Sequence, residues 1–271
     1  MKKLAVIGNP ISHSLSPSIH SIFAKTLGID IQYDAVEVGT KGFEDRLASL
    51  FSEGYSGLNV TLPLKEQAFS LAKKHTETCS ATQSANTLWK ENGVLCADST
   101  DGAGLMEDLI FKGLNIKGSN IVVLGAGGSS KAILPSLLKA EPKEVIILNR
   151  TIAKAINLAE IYNNDKVKVS AGSLIEELPF ESDGLINTTS AGLLGQELIH
   201  PKNLFNLNSW SYDLSYGEET TKFNELAKKN NVSRVHDGLG MLFRQAALSF
   251  KIWTDLKPNV EEAMKVFRIQ E

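Results

Sequence analysis

Two cysteines, Cys79 and Cys96, are all that 271 residues contain. A chain of this length can bury a core without cross-links, so no disulfide framework is expected and a reducing cytoplasm suits it. Long apolar runs are missing as well, and nothing approaches the ~20 residues that span a bilayer. The opening Met1-Lys2-Lys3-Leu4-Ala5-Val6-Ile7 could pass for the start of a signal peptide, but Gly8-Asn9-Pro10 ends its apolar run too soon. A first strand is the better assignment. There is no excess of either charge: 28 Lys and Arg face 31 Asp and Glu, a net −3. That removes the electrostatic case for nucleic acid or an anionic membrane as partner. Metal-ligand spacing is absent among the cysteines and among His13, His20, His75, His200 and His236. Repeats and low-complexity segments are absent too. What remains is an ordinary globular composition, 42% hydrophobic and 22% charged, enough for one large domain or two of typical size.

What is present first is an alternation of strands and helices. Residues 3–8, 31–36 and 56–61 read as strands, and 17–27 and 41–52 as helices between them. This β-α-β-α-β order predicts an α/β fold with a mostly parallel sheet. A helix near 65–73 and two short strands around Glu91-Asn92-Gly93 follow. In the second half, strands are expected at 120–124, 144–148, 166–169, 184–188, 210–214 and 232–235, with helices over 131–139 and 220–229. Apolar residues from Leu239 to Trp253 recur at helical spacing, interrupted by Gln245.

The polar groups gather at strand ends, where open α/β sheets bind ligands. Asn59-Val60-Thr61-Leu62-Pro63-Leu64-Lys65 ends a strand, because Pro63 cannot donate to a ladder. Asn59, Thr61 and Lys65 are the polar groups that converge there, although an isolated lysine is usually a solvated one. Asp101 could simply cap a helix, or could sit beside Lys65 and favour its charged form. Ser14 and Ser16 precede a helix that Pro17 opens, a natural seat for a carboxylate, with capping as the plain role for Ser16. Asn86 could be a turn residue, and Gln245 either a core hydrogen-bonding group or a contact for a polyhydroxylated ligand.

The second half carries the clearest local motif. The strand Asn120–Leu124 runs into Gly125-Ala126-Gly127-Gly128-Ser129-Ser130, then a helix, then the strand Glu144–Leu148. This is the order of a dinucleotide-binding unit, with Ser130 in place of the third glycine. An NAD site would carry an acid at the end of the second strand. Asn149-Arg150-Thr151 stands there instead, with Lys154 one turn on, a basic pair suited to a 2′-phosphate. Charge thus favours NADP. The small polar turn Thr188-Thr189-Ser190 could line the same cofactor.

Taken together, Ser14-Leu15-Ser16-Pro17, the 59–65 stretch, Asn86-Thr87-Leu88, Thr100-Asp101-Gly102, the glycine turn, Asn149-Arg150-Thr151 and Asp237-Gly238-Leu239-Gly240-Met241-Leu242 through Gln245 resemble the shikimate dehydrogenases over nearly the whole chain. The resemblance implies a substrate domain, 1–101 with 238–271, and a Rossmann-like NADP domain, 102–237, with the C-terminal helices packing back on the first domain. It implies an oxidoreductase interconverting 3-dehydroshikimate and shikimate on the route to chorismate and aromatic amino acids. Lys65 and Asp101 would be the catalytic pair. Ser14, Ser16 and Tyr216 would hold the carboxylate, and Thr61, Asn86, Asp101 and Gln245 the ring hydroxyls. Leu214, Gly238 and Met241 would complete the cofactor set. A homodimer is compatible with the sequence. The rival readings are a quinate/shikimate dehydrogenase of broader specificity and a non-catalytic NADP sensor. Three positions depart from the family pattern: Ser99 where an asparagine is usual, Glu218 where a proline is common, and Leu193 where a methionine often follows the glycine.

Overall fold

The computed structural model describes residues 1–192, 196, 198–217 and 220–270. Two of the three departures, Leu193 and Glu218, lie outside the described residues. The apolar opening run forms β1 (Lys2–Gly8) and leads to α1 (Ser16–Leu27), which ends on Gly28 in a left-handed conformation. Ser16 is the first helical residue rather than the cap; Leu15 holds the cap position with no side-chain cap bond, and the Ser14 hydroxyl accepts the Ser16 N–H at 3.3 Å. Next come β2 (Ile31–Glu37), α2 (Phe43–Ser52), β3 (Tyr55–Val60) and α3 (Lys65–Leu71). α2 starts two residues later than expected, because Gly42 before it is left-handed, with φ 69°. Two short elements without a counterpart in the periodicity follow, β4 (Lys74–His75) and α4 (Glu77–Thr82), the latter capped by the Thr76 hydroxyl on the Cys79 N–H. The hairpin β5 (Thr87–Glu91) and β6 (Val94–Asp98) turns on Asn92 and Gly93, both at positive φ, and α5 (Asp101–Phe111) comes after it.

The second half runs β7 (Asn120–Leu124), α6 (Gly128–Lys139), β8 (Glu144–Leu148), α7 (Ile152–Tyr162), β9 (Lys168–Gly172), β10 (Gly184–Asn187), β11 (Trp210–Asp213), α8 (Lys222–Lys229) and β12 (Arg234–His236). α6 begins three residues before the expected Lys131, directly on the glycine turn. The chain closes with α9 (Leu239–Thr254) and with α10 (Val260–Gln270), the C-terminal helices that the resemblance implies.

Two six-stranded sheets result. The first has the order β2-β1-β3-β5-β6-β4, parallel around β1 and antiparallel where β5 meets β3 and β6. The second has the order β12-β11-β10-β7-β8-β9 and is parallel throughout. Counted from β7, that is the doubly wound order 3-2-1-4-5-6, with the order reversing between β7 and β10. The expected α/β class with mostly parallel sheets is therefore the observed one. The chain divides into two compact units, Met1–Gly104 with Leu242–Glu271, and Leu105–Met241. The changes fall inside α5 and α9, a few residues beyond the sequence boundaries at 101 and 237.

Each unit has its own core. In the first, Leu58, Leu88 and Leu50 are fully buried, as are Phe243, Ala246 and Phe250 on the apolar face of α9. His20 is sealed among aromatics there, stacked on Tyr33 at 4.2 Å and near Phe250 and Trp253. Neither ring nitrogen makes a hydrogen bond of ordinary geometry, and burial, opposed in part by the Asn59 side chain, lowers its pKa to about 3, so the ring stays neutral in ordinary buffers. In the second unit, Ile121, Val123, Val145, Ile147 and Ile186 pack into one apolar layer and their neighbours Val122, Leu124, Ile146, Leu148 and Leu185 into another, as expected of a sheet covered on both faces. Among the described residues no helix is long and apolar enough to cross a membrane, and no group of His, Cys, Asp and Glu could hold a metal ion.

Candidate active site

In the first unit, β3 ends at Val60, and Thr61 and Leu64 close a turn with a 3.0 Å backbone bond that delivers Lys65 as the first residue of α3. Asp101 is likewise the first residue of α5. The Lys65 Nζ lies 2.7 Å from Asp101 Oδ2, with side chains only 20% and 12% exposed. The other carboxylate oxygen, Oδ1, accepts from Asn86 Nδ2 at 3.0 Å. The same Nδ2 lies 2.9 Å from Thr100 Oγ1 and 3.2 Å from Gln245 Oε1. Its amide orientation is not arbitrary: the Thr100 backbone N–H, which can only donate, points at Asn86 Oδ1 at 2.9 Å.

Gln245 reaches this cluster because α9 runs against α5 at a glycine. A methyl group on Gly104 would lie 2.7 Å from the Gln245 backbone nitrogen, so no larger residue permits that approach. Gln245 spends its oxygen on Asn86 and one N–H on the Leu242 carbonyl, so the core-bonding role is present while the side chain remains half-buried. The structure thus brings together Lys65, Asn86, Asp101 and Gln245, with Thr100 added. Ser14, Ser16 and Thr61 make no direct hydrogen bond to that group. Ser16 is buried, Ser14 and Thr61 are half-buried, and the Ser16 hydroxyl interacts with the Tyr33 phenol. Ser99 is 2% exposed and its hydroxyl has no partner.

In the second unit, the expected cofactor residues gather at the carboxyl ends of the parallel strands and in the segments just beyond them. Gly125 follows β7, Asn149 follows β8, Thr188 follows β10, Leu214 follows β11 and Gly238 lies just past β12. Gly125 has φ 108°, and a methyl group on it would lie 2.4 Å from Thr188 Oγ1. Ser130 explains its own departure from the glycine fingerprint. Its hydroxyl donates to the Gly125 carbonyl at 2.7 Å and lies 2.6 Å from Thr188 Oγ1, tying the turn, α6 and the end of β10 together. Asn149 Oδ1 accepts the Ala126 N–H at 3.2 Å, which links the two strand ends. α6 starts on Gly127 with no side-chain cap, so its first N–H groups keep their capacity for an anion. A cavity of about 300 Å³ opens over this turn, lined by Gly125, Ala126, Gly127, Asn149, Arg150 and Thr188 to Ala191 among others. Arg150, Thr151 and Lys154 are exposed at its β8 side.

Leu214 and Gly238 pack directly, since a methyl on Gly238 would meet the Leu214 carbonyl at 2.1 Å. The Met241 N–H donates to the Tyr212 hydroxyl, which itself donates to the buried Asp108. Asp108 and Tyr212 escaped the sequence reading, because nothing local joins positions so far apart. Tyr216 is half-buried, and burial raises its pKa.

Family models match three consecutive stretches: a shikimate dehydrogenase substrate binding domain at residues 6–88, shikimate / quinate 5-dehydrogenase at 102–204, and a shikimate 5'-dehydrogenase C-terminal domain at 238–266. The chain is 40% identical to a shikimate dehydrogenase (NADP(+)) of Legionella pneumophila (strain Corby) over 269 residues, 99% of each chain. Its fold is similar to that of shikimate dehydrogenase from Aquifex aeolicus, with a TM-score of 0.89, 31% identity and coverage of 99% and 98% of the two chains. It is equally similar to shikimate 5-dehydrogenase from Thermus thermophilus in complex with NADP(H) and shikimate, with a TM-score of 0.89, 32% identity and 99% coverage of each.

Proposed function

Because the chain belongs to the shikimate dehydrogenase family, we propose that it catalyses the reversible NADPH-dependent reduction of 3-dehydroshikimate to shikimate. The observation that carries this reading is the Lys65–Asp101 pair, an ammonium held at 2.7 Å by a carboxylate, just past the end of β3. A ketone that receives hydride becomes an alkoxide and needs a proton. Lys65 gives that proton during reduction and takes it back during oxidation, while Asp101 fixes the direction of the ammonium. The return step requires the Lys65 amine to be neutral when the shikimate hydroxyl is oxidised.

Ser14 and Ser16, at the start of a helix with no side-chain cap, seat the carboxylate of the substrate with Tyr216. Thr61, Asn86, Asp101 and Gln245 meet the ring hydroxyls. NADPH, when bound, supplies the hydride. The residues at the glycine turn fit that group: the uncapped start of α6 faces pyrophosphate, and Arg150 with Lys154 suits the 2′-phosphate. Thr151, Thr189, Ser190, Gly128, Ser129, Leu214, Gly238 and Met241 complete the contacts. The cytoplasm is the proposed location, with the route to chorismate and aromatic amino acids as the setting.

The test is direct. Purified chain mixed with shikimate and NADP should show a rise in NADPH absorbance that depends on both. Quinate oxidised as fast as shikimate would replace this reading with a broader quinate/shikimate specificity. Tight NADP binding with no turnover of either acid would make the chain a sensor.

A further inference from the structure

Behind Asn86, on the side away from Lys65, lies a buried polar file that none of the assigned roles uses. Tyr33 donates its hydroxyl to Asn59 Oδ1 at 2.7 Å. Asn59 Nδ2 donates to Ser249 Oγ at 3.0 Å. Ser249 Oγ lies 2.7 Å from Thr87 Oγ1, and Thr87 donates to Asn86 Oδ1 at 2.8 Å. Asn86 Nδ2 then donates to Asp101 Oδ1 at 3.0 Å, and the other oxygen of that carboxylate holds Lys65. Asn59 also donates to the Asn86 backbone carbonyl at 3.0 Å. Asn59, Asn86, Thr87 and Ser249 are 6%, 3%, 0% and 0% exposed.

Donor order follows from chemistry. Burial raises the Tyr33 pKa well above its usual value, so its phenol stays protonated. The amide N–H groups can only donate. With Thr87 giving its proton to Asn86, the single proton of Ser249 has two acceptors in reach, Thr87 Oγ1 at 2.7 Å and the Gln245 backbone carbonyl at 3.1 Å. With the Ser249 proton on the shorter contact, to Thr87, every bond points from Tyr33 toward the carboxylate, and bonds in such a file polarise one another in a low-dielectric interior. Ser249 is the one member contributed by α9, four residues after Gln245 on the same helical face.

We propose that Ser249 and Thr87, with Asn59 behind them, are positioning residues that act with the Thr100 backbone N–H to lock the Asn86 carboxamide with its N–H toward Asp101, and so aim the Lys65–Asp101 pair. This rests on the function proposed above, but its geometry can be tested without turnover.

The experiment uses the full chain as wild type, Ser249→Ala, Thr87→Val, Thr87→Ser and the Ser249→Ala/Thr87→Val double variant. Exchange of the Asn86 side-chain amide protons is followed by NMR alongside backbone amides of β3 and β5. Steady-state kcat and KM for shikimate and NADP are measured on the same samples. Ser249→Ala and Thr87→Val should each speed Asn86 side-chain exchange by about tenfold, with backbone protection kept, and lower kcat by about tenfold with each KM within about twofold. Thr87→Ser, which keeps the hydroxyl, should match wild type in both readouts. The double variant should be no worse than about one of the singles, because the file is already broken. Wild-type exchange and kcat in both single variants would overturn the inference, as would a Thr87→Ser variant as impaired as Thr87→Val. Inactive wild type with the predicted exchange pattern would overturn the function but leave the positioning file standing.

Discussion

Lys65→Ala is expected to lower kcat for shikimate oxidation by about 10²–10⁴-fold, the range that one positioned acid–base group contributes. KM for shikimate and for NADP should move by no more than a few-fold. The asymmetry follows from where the ammonium acts. In the proposed mechanism the ground-state hydroxyl would have several other partners, whereas the oxygen that gains or loses a proton in the transition state would depend on Lys65. Asp101→Asn should show a smaller loss of the same kind, because the shape stays while the charge that directs Lys65 at 2.7 Å is removed. Thermal unfolding of each variant separates this from misfolding: Asp101 keeps the Asn86 N–H in the Lys65 variant, so cooperative unfolding should persist. Equal losses in kcat and in substrate affinity, or a Lys65→Ala enzyme of near-normal rate, would show that the proton role is misassigned.

Arg150→Ala should raise KM for NADP by about 10–100-fold and leave KM for NAD nearly unchanged. One charge-assisted contact to phosphate contributes roughly 1.5–3 kcal/mol, which sets that range. The physical basis is the end of β8. An acid there would hold ribose hydroxyls and repel a 2′-phosphate, but Asn149, Arg150 and Thr151 occupy the place. Asn149 is committed to the Ala126 N–H, Arg150 lines the cavity, and Lys154 is exposed one turn further along. Wild-type enzyme that prefers NAD would refute the charge argument at once.

Some of this was legible in the sequence and some could not have been. The glycine turn between β7 and α6 is written in consecutive residues, so its place at the strand end followed directly. The Pro63 break likewise located Lys65 just past β3. Local signals failed where the cause was not local. β4 and α4 are too short for periodicity to register, and only Thr76 hints at a helix start. Ser16 looks like a cap, yet Ser14 takes its N–H, a choice between two hydroxyls that sequence cannot make. The contact of Ser249 with Thr87 spans 162 positions, and that of Tyr212 with Asp108 spans 104. Such pairs exist only once the sheets have formed. Ser130 is an intermediate case: the missing third glycine was visible, but its bond to the Gly125 carbonyl was not.

The central claim is that this chain moves a hydride from NADPH to the ring carbon of 3-dehydroshikimate. Incubating it with 3-dehydroshikimate and NADPH deuterated at the transferring C4 position, in ordinary water, and then examining the product by mass spectrometry and NMR decides this. The expected product is shikimate with one deuterium on the newly formed carbinol carbon and none elsewhere. Unlabelled shikimate, label at another carbon, or no shikimate would contradict the account.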